Sequence, residues 1–178
     1  DLRWWDVSNV TNMSYMFQDC SNFNGDMPNW DTSKVTNLYK MFAYCSNFNG
    51  DINSWKVGNV TTMSEMFFNC ASLDGNISAW DVSNLVDARG TFKGCSNFNQ
   101  YLDSWDVSNV KNINYMFEHC SSFNGNISNW NVSNVTNMPN LFSGCTNFNQ
   151  NLNSWDVSNV KNINSTFRNC ANFNQNLN

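Results

Sequence analysis

Seven cysteines lie at a constant spacing of 25 residues, and their thiols are the most reactive groups of the chain. They are Cys20, Cys45, Cys70, Cys95, Cys120, Cys145 and Cys170. If each is carried by a helix, neighbouring helices lie about 8–10 Å apart, whereas a disulfide requires Cα atoms within about 7 Å. We therefore expect reduced, buried thiols that act as small apolar side chains and stay unreactive until the chain unfolds. A ladder of thiolates on a soft metal is the alternative.

Carboxylates repeat at the same period, and each is followed two residues later by a hydroxyl. We call this set the aspartate row. It consists of Asp6, Ser8, Asp31, Ser33, Asp81, Ser83, Asp106, Ser108, Ser133, Asp156 and Ser158. Stacked strands lie about 4.8 Å apart, so these groups are expected in a line along one face. Lys56 and Asn131 interrupt the line and relieve repulsion between like charges. Two interpretations stay open: a solvated strand surface, or a binding site for cationic side chains or calcium.

The sequence offers little for catalysis. His119 is the single histidine, its equivalents in the other repeats are not histidine, and none of the phosphate-binding, nucleophile-elbow or zinc-protease motifs occurs. We therefore predict a protein that is not an enzyme and has no cofactor or metal. The net charge of −5 without a run of Lys or Arg argues against a nucleic-acid partner. No apolar run approaches the roughly 20 residues of a membrane span.

The cysteines and the aspartate row recur because the whole chain is a tandem repeat. Trp stands at 5, 30, 55, 80, 105, 130 and 155 without insertion or deletion, which is typical of a solenoid. We number repeat positions by the first repeat, residues 5–29. Around each Trp, apolar positions 5 and 7 alternate with polar positions 6 and 8. This alternation predicts a short half-buried strand, and its stacked copies predict a parallel sheet.

A second element is predicted between positions 12 and 20. Position 12 always carries a side chain that can accept a hydrogen bond from a helix start. Met13, Met16, Phe17 and Cys20 follow with the spacing of one helical stripe, so a short helix is predicted over positions 13–19. The dipeptide Asn-Gly at 24–25, 49–50 and 124–125 suggests a turn with positive φ.

The repeat pattern V-x-N-M-x-x-M-F-x-x-C-x-x-F-N-x-x-I-x-x-W-D-V-S-N resembles the BspA-like leucine-rich repeats of bacterial surface proteins. The block Phe17-x-x-Cys20-x-x-Phe23 is also similar to the treponemal type, with Phe where that type has Leu. The resemblance implies an α/β leucine-rich-repeat solenoid that is right-handed, with a parallel sheet on the concave side and short helices on the convex side. It also implies an extracellular location on the cell surface and a role in adhesion.

We therefore predict that residues 1–178 form a single solenoid of seven repeats, as a segment of a longer chain. The expected function is non-enzymatic recognition or adhesion at a cell surface, with a protein partner bound on a host or neighbouring cell. The alternative is a structural subunit of a filament or surface layer that stacks end to end, because neither end shows an obvious polar cap.

Two further expectations concern individual repeats. Positions 14, 15, 18 and 19 vary most, and Tyr39, Tyr44 and Phe68 are expected to form an exposed aromatic patch there. The fourth repeat is expected to be the weakest and to exchange its amide hydrogens faster than the second. It has Ala88 and Thr91 at positions where other repeats carry Met, and Gly90 would weaken a helix by about 1 kcal/mol.

Overall fold

The computed structural model describes residues 2–177. Within that range the repeats stack directly on one another. Single-residue parallel bridges join position 12 of each repeat to position 12 of the next, from Asn12–Asn37 through to Asn137–Asn162. We call each 25-residue layer a coil. The equivalent residues of every coil therefore lie in register along the stack.

Neither of the predicted elements forms. No α-helix and no extended strand occurs among residues 2–177; apart from the bridges, the backbone consists of tight turns and irregular segments. The predicted α/β architecture, with a parallel sheet on one side and helices on the other, is therefore wrong. The predicted right-handed solenoid with a concave sheet and convex helices is therefore wrong as well.

Consecutive turns replace the helix over positions 13–20. In the first coil, the amide of Met16 donates to the carbonyl of Met13 (3.3 Å) and the amide of Cys20 donates to that of Phe17 (3.0 Å). These are bonds between residues three apart, as in a β-turn. The third residue of each turn has positive φ, with 63° at both Tyr15 and Asp19. A right-handed helix cannot contain such residues.

The amides of positions 13, 15, 17 and 19 bond along the stack. Met13 donates to the carbonyl of Asn37 (3.0 Å), and Phe17 donates to that of Met41 (2.8 Å). The amides of positions 15 and 19 bond to the next coil in the same way. A helix of seven residues would leave most of its terminal amides and carbonyls without partners, whereas the turn-and-ladder arrangement satisfies amides both within a coil and between coils.

Two smaller expectations also change. The apolar residues of the alternating pattern at positions 5–8 are buried as expected: Trp30 is 3% and Val57 1% exposed. The backbone nevertheless turns there instead of extending, because the amide of Ser8 donates to the Asp6 carboxylate in the same coil (3.0 Å). The positive φ expected at the Asn-Gly dipeptides is absent: among the described residues, glycine has positive φ at 90, 94 and 144 alone.

Gly90 is one of these, with φ of 58°. It occupies position 15, where a left-handed conformation is required and glycine is favoured. The expected helix penalty of Gly90 is therefore wrong. Ala88 and Thr91 are buried, and the Thr91 hydroxyl donates to the carbonyls of Met63 (3.0 Å) and Ala88 (2.9 Å). The faster amide exchange expected of this repeat, relative to the second, stays a prediction.

One continuous core runs through the coils, from Val7 to Trp155. Phe rings at positions 17 and 23 form two adjoining columns: Phe42 stacks on Phe48 of its own coil at 4.1 Å and on Phe67 of the next at 5.6 Å. Offset-stacked rings at these distances are favourable beyond their buried area. The core of each coil is thus completed by its neighbours.

Candidate interaction surfaces

Polar groups that touch the core are satisfied by the neighbouring coil. The indole N–H of each buried Trp donates to a carbonyl one coil earlier, as Trp55 does to Met27 (3.0 Å). The thiol of Cys95 donates to the carbonyl of Phe67 in the same manner (3.0 Å). A buried N–H or S–H needs such an acceptor. Trp and Cys therefore recur for a structural reason.

The cysteines are free, and five of the seven are buried. Burial raises the pKa of the Cys45 thiol to about 12 and that of Cys95 well above its ordinary value. Such thiols are poor nucleophiles and poor metal ligands because they stay protonated. Cys20 is exposed, so the expectation that every thiol is buried is wrong for that residue.

No group of three or more His, Cys, Asp or Glu residues within 2–177 is arranged to hold a metal ion. His119 lies at the surface with its side chain 64% exposed, and its Nε2 is 3.9 Å from Glu118 Oε1. The imidazole is therefore in contact with solvent. Within the same residues, nothing amounts to an apolar helix of membrane-crossing length.

The aspartate row is exposed on the turns that replace the predicted strands. In each of these coils, the Oδ1 atom at position 6 accepts the backbone amide at position 8, at 3.0 Å for Ser83 to Asp81 and for Ser108 to Asp106. The hydroxyl of Ser83 also donates to Asp81 (2.7 Å). These turns hold every carboxylate in one orientation relative to its coil.

Hydrogen bonding stabilises the charged form of the carboxylates of the row. The Ser hydroxyl, followed by the Ser amide, lowers the pKa of Asp81 and Asp106 below the ordinary value, and the same pair of donors acts on the other three. Repulsion from Asp81 opposes the effect at Asp106. Lys56 Nζ lies 3.7 Å from Asp31 Oδ1, so the expected relief of charge is present at Asp31.

An amide ladder lies beside the row. At position 9, the side-chain amide of Asn84 donates to the carbonyl of Gly58 (2.7 Å), and that of Asn109 donates to the carbonyl of Ser83 (2.8 Å). Positions 9 and 11 of the middle coils line an open polar groove of about 550 Å³ that includes Lys111. Sequence reasoning missed this groove, because the hydrogen bonds of its asparagines run between coils and do not appear within one repeat.

A second surface, which carries aromatic rings and charges of both signs, is built from positions 14, 15, 18 and 19 of repeats 1–5. We call it the variable turn surface. It comprises Tyr15, Tyr39, Lys40, Tyr44, Glu65, Phe68, Arg89, Lys93, Tyr115 and Glu118. The expected aromatic patch is confirmed in part: Tyr44 packs edge-on against Phe68 with ring centroids 5.0 Å apart. Tyr39 pairs instead with Tyr15, also at 5.0 Å.

Ion pairs between coils connect these rings. Glu65 pairs with Lys40 (3.2 Å) and with Arg89. Burial alone would raise the pKa of Glu65, but hydrogen bonds from Arg89 and Lys40 outweigh it, so the pKa is lowered and the carboxylate is ionised. The positions had been recognised as variable; their association could not be read from spacing, because it depends on the turns.

Lys93 is the centre of the second cluster. Its Nζ lies 2.7 Å from Glu118 Oε2, 5.5 Å from the centre of the Phe68 ring and 5.1 Å from that of Tyr115. Both distances are within the range of a cation–π contact. One ammonium group thus joins residues of three successive coils.

Apolar side chains are exposed on the first and last coils, among them Trp4 (81%) and Ile163 (63%). The last coil also borders an apolar cavity of about 490 Å³. Within residues 2–177, each of these two coils packs against one neighbouring coil. The exposure follows from that place in the stack and carries no argument for or against self-association.

Coils that stack in parallel register around a continuous apolar core define a repeat protein with a leucine-rich-repeat-like fold. In structure, the chain is similar to a leucine-rich repeat protein of Treponema pallidum, with a TM-score of 0.59 and 17% identity, over 93% of this chain and 72% of that one. An internalin C2 of Listeria monocytogenes aligns with a TM-score of 0.26 and 12% identity over 96% of this chain and 78% of that one, too weakly to support an argument.

In sequence, the profile of a family described as "Mycoplasma protein of unknown function, DUF285" matches residues 1–104 and 86–178. Together these matches span the whole chain, and the chain belongs to that family. No curated protein matches it in sequence. The BspA-like assignment stays a resemblance of the repeat pattern.

Proposed function

We propose that the chain is a non-enzymatic recognition module on a cell surface, resembling the BspA-like repeat proteins, and that it binds a protein partner through the aspartate row. The row supports the proposal because its carboxylates are exposed, ionised and held in a fixed orientation by the Ser amides. Preorganised groups lose little conformational freedom when a partner binds.

The chemistry of the row favours cationic partners. Five carboxylates in one line create a negative field that steers positively charged groups and weakens with salt. Rigid arrays of this kind are the surfaces that stacked-repeat proteins use for binding. The side chains of the row point away from the core, so they can change without loss of the fold.

The proposal is tested with the double variant Asp81→Asn and Asp106→Asn. Immobilised chain is exposed to labelled surface proteins of candidate host cells, and a captured protein is then measured against both forms. We expect the variant to associate about tenfold more slowly at low salt, with a shallower salt dependence, while its dissociation rate changes little. Equal association rates and equal salt dependence would show that the row is not the site.

The alternative function, a subunit that stacks end to end in a filament or surface layer, stays a prediction. Sedimentation of the isolated chain separates the two. A concentration-dependent series of oligomers would favour the subunit, and a monomer would favour the recognition module.

A further inference from the structure

The backbone at positions 15 and 19 has positive φ in every coil, from Tyr15 to Asn169. Gly and Asn tolerate this conformation, and bulky side chains are strained in it. In the sixth and seventh repeats these positions carry Asn140, Gly144, Ser165 and Asn169. Several earlier coils carry bulky residues instead, with φ of 65° at Tyr44 and 60° at Tyr115.

The strained residues belong to the variable turn surface. Tyr44 contacts Phe68, and Tyr115 contacts Lys93. Elsewhere along the chain, equivalent positions carry near-identical residues that serve the core or the ladders. Bulky side chains retained at strained positions that smaller residues fill elsewhere indicate a function for the side chain itself.

The surface has a defined electrostatic layering. The carboxylates of the third and fifth repeats lie beneath, with side chains of Glu65 and Glu118 each 14% exposed, whereas Asp19 at the edge of the surface in the first repeat is exposed. The cations lie above them, with Arg89 45% and Lys93 31% exposed. Among the rings, Tyr15 is 51% and Tyr44 43% exposed. An approaching molecule therefore meets cationic N–H donors and aromatic rings, whereas the aspartate row presents carboxylates.

We propose that the variable turn surface is a second docking surface, which binds an acidic segment of a protein partner that also carries aromatic or other apolar side chains. This rests on the proposed role of the chain as a recognition module, but on different residues. Guanidinium and ammonium groups pair with carboxylates, and Tyr and Arg are enriched where interfaces gain most of their affinity. The two surfaces would take partner regions of opposite charge.

The binding test uses two random copolymers as probes, poly(Glu,Tyr) and poly(Lys,Tyr), on the immobilised full chain. We expect poly(Glu,Tyr) to bind with an affinity about tenfold lower in each of the variants Arg89→Gln and Tyr44→Asn than in wild type. Glu65 keeps Lys40 as a partner in Arg89→Gln, so that variant is not left with an unpaired carboxylate. Asp81→Asn with Asp106→Asn is the matched control and should bind poly(Glu,Tyr) within about twofold of wild type.

A stability measurement separates binding from a structural role. Asn accepts a left-handed conformation, so Tyr44→Asn should change Tm by less than about 3 °C or raise it. Ser165→Asn makes the same kind of change outside the surface and should leave copolymer binding unchanged. A large loss of Tm in Tyr44→Asn together with unchanged binding would show that the ring is structural and overturn the proposal.

Other outcomes are equally decisive. Failure to bind poly(Glu,Tyr), or stronger binding of poly(Lys,Tyr) that Arg89→Gln leaves unchanged, would overturn the second surface while leaving the aspartate row to its own test. Self-association that is lost in both Tyr44→Asn and the double Asp variant would identify the occupant as the aspartate row of a second copy, and would overturn the assignment to a different protein.

Discussion

At the scale of single residues, the reactivity of each buried thiol depends on its hydrogen-bond acceptor and on its degree of burial. Cys95 and Cys120 are buried and donate to the carbonyls of Phe67 and Phe92, whereas Cys20 is exposed. The raised pKa of the buried thiols leaves almost no thiolate at neutral pH. The depth of each cysteine in the stack therefore determines whether its thiol can react.

We predict stepwise labelling of the native chain by a thiol reagent at pH 8. Cys20 should react first and Cys170, which is half-buried, next, while the five buried thiols should react when the chain unfolds. Mass spectrometry of the labelled peptides identifies the order. Labelling of Cys95 as fast as Cys20, or a native mass two units low for a disulfide, would contradict the structure.

The aspartate row predicts a specific dependence of stability on pH. Its carboxylates have a lower pKa in the folded chain than the ordinary 3.8. Their contribution is therefore present above the unfolded pKa and is lost as pH falls through the folded pKa. We expect stability to decline below about pH 4.

The Asp81→Asn, Asp106→Asn variant should lack part of this decline. Asn keeps the acceptor, as Asn131 does by accepting the amide (3.2 Å) and hydroxyl (2.7 Å) of Ser133. Urea unfolding should show a stability at pH 7 slightly below that of wild type, because the contribution of the two ionised carboxylates is gone, and a smaller loss than wild type on going to pH 3. Parallel pH profiles of variant and wild type would mean that these two carboxylates are not linked to folding.

At the scale of the element, the substitution Gly90→Ala distinguishes the observed turns from the predicted helix, because the two structures predict stability changes of opposite sign. In a helix, Gly90→Ala would stabilise by about 1 kcal/mol. In the turn, with φ of 58° and a Cβ placed 3.2 Å from Glu65 Cγ, it should destabilise by about 1 kcal/mol or more. Denaturant unfolding measures the change. Ala43→Gly, at a residue without positive φ in the corresponding segment of the second coil, should destabilise in either case.

Asparagine at position 24 forms a second ladder that can be tested residue by residue. The Asn124 side chain accepts the backbone amide of Asn149 (2.9 Å), and Asp74 fills the same role for Asn99 (3.0 Å). Asn124→Ala should therefore cost about 1 kcal/mol, and Asn124→Asp should be close to neutral. If both variants unfold at the same denaturant concentration, the ladder contributes nothing to stability.

Sequence reasoning identified the parts of the fold that periodicity determines. The inward residues, the 25-residue register and the acceptor role of position 12 are all present: Asn37 accepts the amide of Tyr39 (2.9 Å). The conformation between them was wrong, because Met13, Met16, Phe17 and Cys20 have a spacing that a helix and a pair of consecutive turns share. The competing signal, hydrogen bonding to the next coil, is non-local and does not appear in one repeat.

For the candidate surfaces too, periodicity located the residues but not the contacts between them. The aspartate row was located by its period, but its Asp–Ser hydrogen bonds depend on turns that replace a predicted strand. Tyr39, Tyr44 and Phe68 were predicted to be exposed; Tyr44 is, whereas Tyr39 and Phe68 are half-buried. The contacts of Lys93 with the coils on both sides could not be read from the sequence, because they depend on the turns. Glycine at positions 90, 94 and 144 was the available sign of positive φ at positions 15 and 19.

At the scale of the whole molecule, each coil interacts mainly with the two beside it. Every ladder joins residues about 25 apart, as Trp105 donating to Ile77 and Asn109 donating to Ser83 illustrate. Stability in such an array is approximately the sum of coil and interface contributions. Register, more than the identity of any one coil, should therefore decide whether the chain folds.

Removal of residues 131–155 tests this directly. The deletion joins Trp130 to Asp156, so the sequence Trp-Asp-Val at the junction is the one found in other coils, and every ladder keeps its register. We expect a folded chain whose denaturant m-value is lower by roughly one-seventh, in proportion to the lost surface. Removal of residues 131–156 is the matched control: it takes one more residue and leaves the last coil one short, so its ladders and its core cannot both align. Hydrogen exchange should show the amides of Lys161 and Asn172, which donate to the preceding coil in the intact chain, still protected after the 25-residue deletion but freely exchanging in the control. Equal protection and equal m-values in the two deletions would mean that the last coil does not need its register, and that the coil-by-coil account of this fold is wrong.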